Sequence, residues 1–373
     1  MKIVLAPDKF KNSLTGLAFC KAVEAGIHAV NPDIDILKLP LADGGDGTID
    51  VVNFYLKGDI VSVEVHNPFF KLIKANYLYA EDSKTAFIEM AEASGVKLLQ
   101  PEQFDCKNAT TCGTGDMILD ALDIGAETII LGIGGSATND CGIGMATALG
   151  YRFLDENEQE VKPIGANLSK IKSIEATHVH PKMGDVSFKV ACDVTNPLYG
   201  KHGAAQVYAA QKGATTADIK MLDAGLTSFS EILNAVFGIN AQSIEGAGAA
   251  GGMGIASKVF LNATLESGIQ LIKDLANFDE HLNDTDWIIT GEGKLDTQTM
   301  SGKTIQGVLS SAKAKQIKVA AFCGAIDLDE NEAKAIGIEY TDAVMNYAEN
   351  LEDAMKNSKI YVEKMAKLFT KQL

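Results

Sequence analysis

Residues 131–144 read LGIGGSATNDCGIG, and the run leading into them, ETIIL (127–131), carries no charge after its first residue and is mostly apolar and β-branched. Such a run followed by glycines predicts a buried strand that ends in a loop. Five glycines in fourteen residues are more than a turn needs, so the backbone is laid bare for a close neighbour. Gly132, Gly134 and Ala137 satisfy the GxGxxA form of the dinucleotide fingerprint, with Asp155 about 20 residues on. Ser136, Thr138 and Asn139 add hydroxyl and amide groups to a nest of backbone N–H groups, which suits phosphate oxygens equally well. Phosphate is common to both readings.

Outward from this stretch, short apolar runs alternate with longer amphipathic segments, the pattern of an α/β protein with largely parallel sheets. Strands are predicted at KIVLAP, DILKLPLA, SVEVHN, TAFIEMA, TIILGIG, FKVACDV, DWIITGE, KVAAFCG and DAVMNY. Helices are predicted over LTGLAFCKAVEAGIHAV, GDMILDALDIGA and the C-terminal LEDAMKNSKIYVEKMAKLF. EGAGAAGGMG (245–254) reads as a loop feeding a helix rather than a linker, because IASKVFLNA follows at once. At 373 residues the chain is too long for one core, and two domains are expected.

The net charge of −16 argues against nucleic acid or an anionic membrane as partner. All 33 basic residues but Arg152 are lysines, so any phosphate must be met by lysines, backbone amides and a metal ion. The N-terminus carries no secretory pattern and no stretch approaches the roughly 20 apolar residues of a membrane helix, which predicts a cytoplasmic protein. The six cysteines are scattered and read as small buried thiols.

Four further segments share the design of strand, glycines and short polar residues. APDKFKNSLT (6–15) puts Asp8, Lys9 and Lys11 at a strand's carboxyl end, where open α/β sheets bind ligands, with Ser13 or Thr15 free to cap a helix. LADGGDGT (41–48) offers Gly44, Gly45 and Gly47 to an anion, while Asp43 or Asp46 can hold a cation or cap a helix. ACDVTNPLYG (191–200) places Asp193 at a strand end as a general base or metal ligand. Its Asn196 suits a substrate contact or an Asx turn before Pro197. ITGEGKLDTQTMSGKT (289–304) carries Glu292, Gly293, Asp296 and Lys303. Its GKT is no P-loop, because Thr297 stands where that motif needs glycine. Glu292 and Asp296 suit Mg²⁺, and Lys303 suits a phosphate as a point charge. Anion-binding loops, carboxylates and lysines together fit phosphoryl transfer.

In this order, with MAEASGVKLL, GTGDMILDAL and GAGAAGGMGIA, these motifs resemble the bacterial glycerate kinase family of the glycerate 2-kinase type, over nearly the whole chain. Lys9 and Asn12 stand where that family usually has serine and glycine, Asp46 where it has glutamate, and Cys141 where it has glycine. The resemblance implies ATP- and Mg²⁺-dependent phosphorylation of D-glycerate, the 2-position favoured. It implies a flavodoxin-like domain from residues 1–80 and 285–373, an inserted restriction-enzyme-like α/β domain from 81–284, and an active site in the cleft.

On that footing Gly134, Gly135, Ser136, Thr138, Asn139, Gly293 and Lys303 are expected at ATP. Asp8, Lys9, Lys11, Asp43, Gly44, Gly45 and Asn196 are expected at glycerate, with Lys11 first and Lys9 second for its carboxylate. Asp193 is the candidate base, Lys11 a second catalytic group, and Glu292 with Asp296 the Mg²⁺ ligands. A homo-oligomer is compatible with the sequence. Two rivals stand beside this reading. A nicotinamide-dependent dehydrogenase rests on GIGGSA alone, and a non-catalytic nucleotide or sugar-acid binding module would bind both ligands without forming ADP.

Overall fold

The computed structural model describes residues 1–44, 48–296 and 303–373, the side chain of Lys303 excepted. Gly45, Asp46, Gly47 and Thr297 lie outside the described residues. The chain is α/β, as its alternating pattern predicts, and it forms two compact units: Met1–Tyr55 with Gly268–Leu373, and Leu56–Ser267.

In the first unit the strands Asp35–Lys38, Lys2–Leu5, Trp287–Thr290, Lys318–Cys323 and Tyr340–Ala343 lie in that order across one sheet, all parallel. Counted along the unit's own chain the order is 2-1-3-4-5. Ile3, Val4 and Leu5 are fully buried, as a strand covered on both faces must be. One face is covered by the helices Gly16–His28 and Leu351–Thr370, whose Phe19, Val23, Ile27, Val362, Met365 and Phe369 form one cluster with Ile3, Leu5 and Ile289. Gly26 sets their spacing, since a Cβ there would stand 2.4 Å from the Glu363 carbonyl oxygen. Leu295, Ile305, Ala321 and Cys323 form a separate buried cluster, to which the helix Lys303–Lys315 contributes Ile305.

In the second unit a six-stranded sheet runs Thr264–Glu266, Ser187–Ala191, Thr128–Gly132, Thr85–Glu89, Leu72–Ala80 and Asp59–His66. The first four are parallel and the last two complete the sheet as an antiparallel hairpin. The sequence reading ran the first domain to residue 80 and began it again at 285. The hairpin at 59–80 instead joins the second unit's sheet, its strand Leu72–Ala80 pairing with Thr85–Glu89, and helix Gly268–Leu275 belongs with the first unit. Among the described residues no helix is long and apolar enough to cross a membrane.

Candidate active site

The first unit's parallel strands all end at one sheet edge, and its strand order reverses beside Lys2–Leu5. Open α/β sheets bind ligands at such a switch point. Here the chain is tied tightly: the Asp8 amide donates to Gly291 O at 2.8 Å, and Thr290 Oγ1 donates to Ala6 O at 2.8 Å. The Asp8 carboxylate accepts from Thr304 Oγ1 at 2.7 Å and from the Lys9 amide at 2.7 Å. Burial pushes its pKa up; the two hydrogen bonds work against that, and the Asp43 carboxylate pushes further the same way. Asp43 therefore adds negative charge near the Asp8 carboxylate.

Asp8 and Lys9 line a cavity of about 350 Å³ together with Leu41, Ala42, Asp50 and Asn53. Lys11 faces elsewhere. It lines a smaller pocket with Phe10, Ser13, Gly293 and Met345. Asn12, where the resembling family has glycine, has φ +60°, a conformation asparagine tolerates better than most residues. Thr15 caps the following helix by accepting from Ala18 N, whereas Ser13 bonds Met355 O and Ser358 Oγ. Gly44 has φ +88°, which suits glycine. Glu292 and Gly293 follow the strand Trp287–Thr290, and their carbonyls accept from Gly324 N and Ala325 N. Glu292 is half-buried and Asp296 is shared with Lys294 Nζ at 3.4 Å. Lys303 opens the helix Lys303–Lys315, and its side chain is outside the described residues.

The second unit holds the glycine loop. Gly134 and Gly135 are exposed just past the strand Thr128–Gly132, and a Cβ at Gly134 would meet nothing within 4 Å. The residues after them turn inward. Ser136 is nearly buried, and Thr138, Asn139 and Asp140 are fully buried. Thr138 Oγ1 and both polar atoms of the Asn139 carboxamide are buried and have no hydrogen-bond partner among the described residues. Buried polar atoms are rarely left so, because each costs about 1–3 kcal/mol.

Two residues that the sequence reading did not select hold this loop. Asp140 accepts from Thr111 N and Thr111 Oγ1, both at 2.8 Å, and from Gly142 N and Gly144 N; burial raises its pKa against those four bonds. Lys212, 5% exposed, donates from Nζ to Ser136 Oγ at 2.6 Å and to Thr138 O at 2.9 Å. Burial lowers its pKa to about 8, with Cys106 and Asp140 acting against the shift. The glycines at 251 and 252 let a second backbone lie on the loop. Gly251 has φ +72°, and a Cβ there would stand 2.3 Å from Thr138 O. Cys141, where the resembling family has glycine, is held at φ +50° with its amide on Gly251 O.

Asp193 follows the strand Ser187–Ala191, whose register opposite Thr128–Gly132 pairs Ala191 with Gly132. Asp193 and Gly134 therefore leave the same sheet edge from adjacent strands. Asn196 spends its carboxamide inside the unit, donating to His202 O at 2.8 Å and accepting from Tyr208 OH at 2.6 Å. The dinucleotide reading loses its support here. Asp155 lies in a turn beside the ribbon Arg152–Leu154 and Ser173–Glu175, accepting from Asn157 N and Gln159 N. The next helix, Ile143–Ala148, starts six residues after Ala137.

The glycerate kinase family model matches residues 3–373. Among curated relatives, the glycerate kinase of Halalkalibacterium halodurans is 42% identical over 98% of this chain and 96% of its own. The glycerate 2-kinase of Escherichia coli is 39% identical over 96% and 94%. A crystal structure of a provisional glycerate kinase 2 from Salmonella typhimurium LT2 matches with a TM-score of 0.90 at 40% identity, covering 100% of this chain and 98% of its own.

Proposed function

The chain belongs to the glycerate kinase family, and from that premise we propose how its residues carry out the transfer. The reaction is ATP-dependent and turns glycerate into phosphoglycerate, with ADP released. A hydroxyl oxygen of glycerate bonds to the γ-phosphorus, the bond from that phosphorus to the β–γ bridging oxygen breaks, and the hydroxyl proton passes to the Asp193 carboxylate.

The observation that carries the reading is the set of buried, unpartnered atoms at Thr138 and Asn139 beside the bare backbone of Gly134 and Gly135. Phosphate oxygens accept from the Thr138 hydroxyl and the Asn139 amide, and from loop N–H groups. The ammonium of Lys212 fixes that loop and places a positive charge beneath it. Glycerate is held through its carboxylate by Lys11 from its own pocket, or by Lys9 with Asp8, Asp43 and Gly44 around it. Gly293 and Lys303 belong to the nucleotide side of the same proposal, while Asn196 acts by shaping its loop.

The donor set suits Mg²⁺, which takes one or two carboxylates and keeps its remaining positions for water and phosphate oxygens. Glu292 and Asp296 would hold it, and it would neutralise charge on the transferring phosphoryl group. The 2-1-3-4-5 order supports a flavodoxin-like reading of the unit Met1–Tyr55 with Gly268–Leu373. The restriction-enzyme-like description of Leu56–Ser267 rests on family resemblance. A cytoplasmic location, where ATP is supplied, completes the proposal.

Phosphorus NMR of the purified protein with Mg·ATP and D-glycerate tests it. The expected product is 2-phosphoglycerate. A 3-phosphoglycerate signal would overturn the position, and no product without added Mg²⁺ is the result that supports the metal.

A further inference from the structure

The second unit carries another cluster of reactive side chains, one that phosphoryl transfer does not use. His66 ends the strand Asp59–His66, and Cys112 and Asp116 stand one turn apart at the start of the helix Cys112–Asp123. His66 Nδ1 lies 2.8 Å from Asp116 Oδ2 and 3.8 Å from Cys112 Sγ. The three ligating atoms all fall within 4.8 Å of one another, and all three residues are half-buried.

This closeness is built into the backbone. A Cβ at Gly113 would stand 1.8 Å from the His66 carbonyl oxygen, so only glycine lets the strand end rest on the helix's first turn. The His66 amide also donates to Asp116 Oδ2 at 2.9 Å, which holds the carboxylate beside the imidazole independently of the ring. The i, i+4 spacing of Cys112 and Asp116 keeps both on one helix face.

We propose that His66, Cys112 and Asp116 bind one borderline-soft divalent transition ion, of the class of Zn²⁺, with a coordination position left for water. A thiolate, an imidazole nitrogen and a carboxylate oxygen are ligands zinc takes at about 2.0–2.3 Å. Tetrahedral bonds of those lengths set sulfur and nitrogen about 3.5 Å apart, and nitrogen and oxygen about 3.3 Å apart. The observed separations, 3.8 Å and 2.8 Å, lie within roughly half an ångström of these values. Mg²⁺ does not suit the site, because it prefers oxygen ligands alone. On binding, the neutral imidazole carries its proton on Nε2 and the Cys112 thiol proton leaves to solvent. One proton is released per ion, with no change of oxidation state.

The test uses the full chain, reduced and stripped of metal, titrated with Co²⁺. The expected result is one equivalent bound with a sulfur-to-cobalt charge-transfer band in the near ultraviolet, bleached by Zn²⁺. Cys112→Ser should abolish the band, and His66→Gln and Asp116→Asn should each weaken cobalt binding at least about tenfold. Circular dichroism checks that each variant is folded. Should Cys112→Ser not fold, protection of Cys112 from alkylation by Zn²⁺ in the unaltered protein, read by peptide mass, decides the matter. Absence of the band at one equivalent, a band that survives Cys112→Ser, or alkylation of Cys112 indifferent to Zn²⁺ would each overturn the site. None of these readouts involves ATP or glycerate, so failure here leaves the kinase reading untouched.

Discussion

Replacing Lys212 with methionine probes the charge beneath the glycine loop. In the unaltered protein the ammonium is buried, has two oxygen partners, and has its pKa lowered by burial to about 8 from 10.5. The unfolded chain then holds the proton more tightly than the folded one. The resulting penalty is fully present below about pH 8, fades as pH rises, and is gone above the unfolded value. The interval corresponds to about 3 kcal/mol at pH 7, of which about 2 kcal/mol is recovered by pH 9.5.

Methionine is similar in length and carries no such penalty, but it loses two charge-assisted hydrogen bonds worth about 1.5–3 kcal/mol each. The variant should therefore unfold within about 3 kcal/mol of the unaltered protein at pH 7. At pH 9.5 the gap should widen against the variant by about 2 kcal/mol, because only the lysine form gains. Urea unfolding followed by far-UV circular dichroism is the assay. Fluorescence would miss it, since the single tryptophan, Trp287, belongs to the other unit. A gap constant between the two pH values would refute the strained-charge account. In the same variant the KM for ATP should rise, as the loop loses its anchor.

Thr138→Val keeps the side chain's shape and deletes a buried hydroxyl that has no hydrogen-bond partner among the described residues. The ligand-free protein should gain about 1–2 kcal/mol, visible as a higher melting temperature, while kcat/KM for ATP falls at least about tenfold. Unchanged kinetics would remove Thr138 from the phosphate cradle. Asp193→Asn should lower kcat by about 10²–10⁴, and turnover within about threefold of the unaltered enzyme would exclude Asp193 as the base. Gly251→Ala would force a Cβ to 2.3 Å from Thr138 O at φ +72°. A loss of about 2–4 kcal/mol is expected in thermal or urea melts, and a change below about 0.5 kcal/mol would contradict the close approach.

Strands buried on both faces were legible because their apolar runs are unbroken, as in KIVL and TIIL. The strand Leu72–Ala80 was not, because its first residues lie exposed or half-exposed and dilute the pattern. The unit boundary escaped for a related reason. The chain passes from the helix Thr48–Leu56 straight into a strand of the other sheet, with no change in composition to mark it. In the candidate site the glycine loop announced itself through local chemistry. Lys212 could not, since YAAQKGA reads like a helix end with a solvated lysine; only the long-range fold buries that amine against Ser136. Asp140 sat inside the very stretch first read, yet its four donors come from Thr111, Gly142 and Gly144. Half of that set is remote in sequence.

The strand Lys2–Leu5 lies inside a sheet, one place from its edge, whose next three members come from the far end of the chain. During vectorial synthesis it leaves the ribosome with only Asp35–Lys38 to pair with, and more than two hundred residues of the other unit follow before Trp287 emerges. At about 5–20 residues per second that is a wait of at least roughly ten seconds. Throughout it an apolar strand edge stays open, while Leu56–Ser267 has every strand of its own sheet in hand and is free to fold first. Ribosome-bound chains halted before residue 287 should therefore recruit holdase chaperones to their first forty residues, and release them once the last strands arrive.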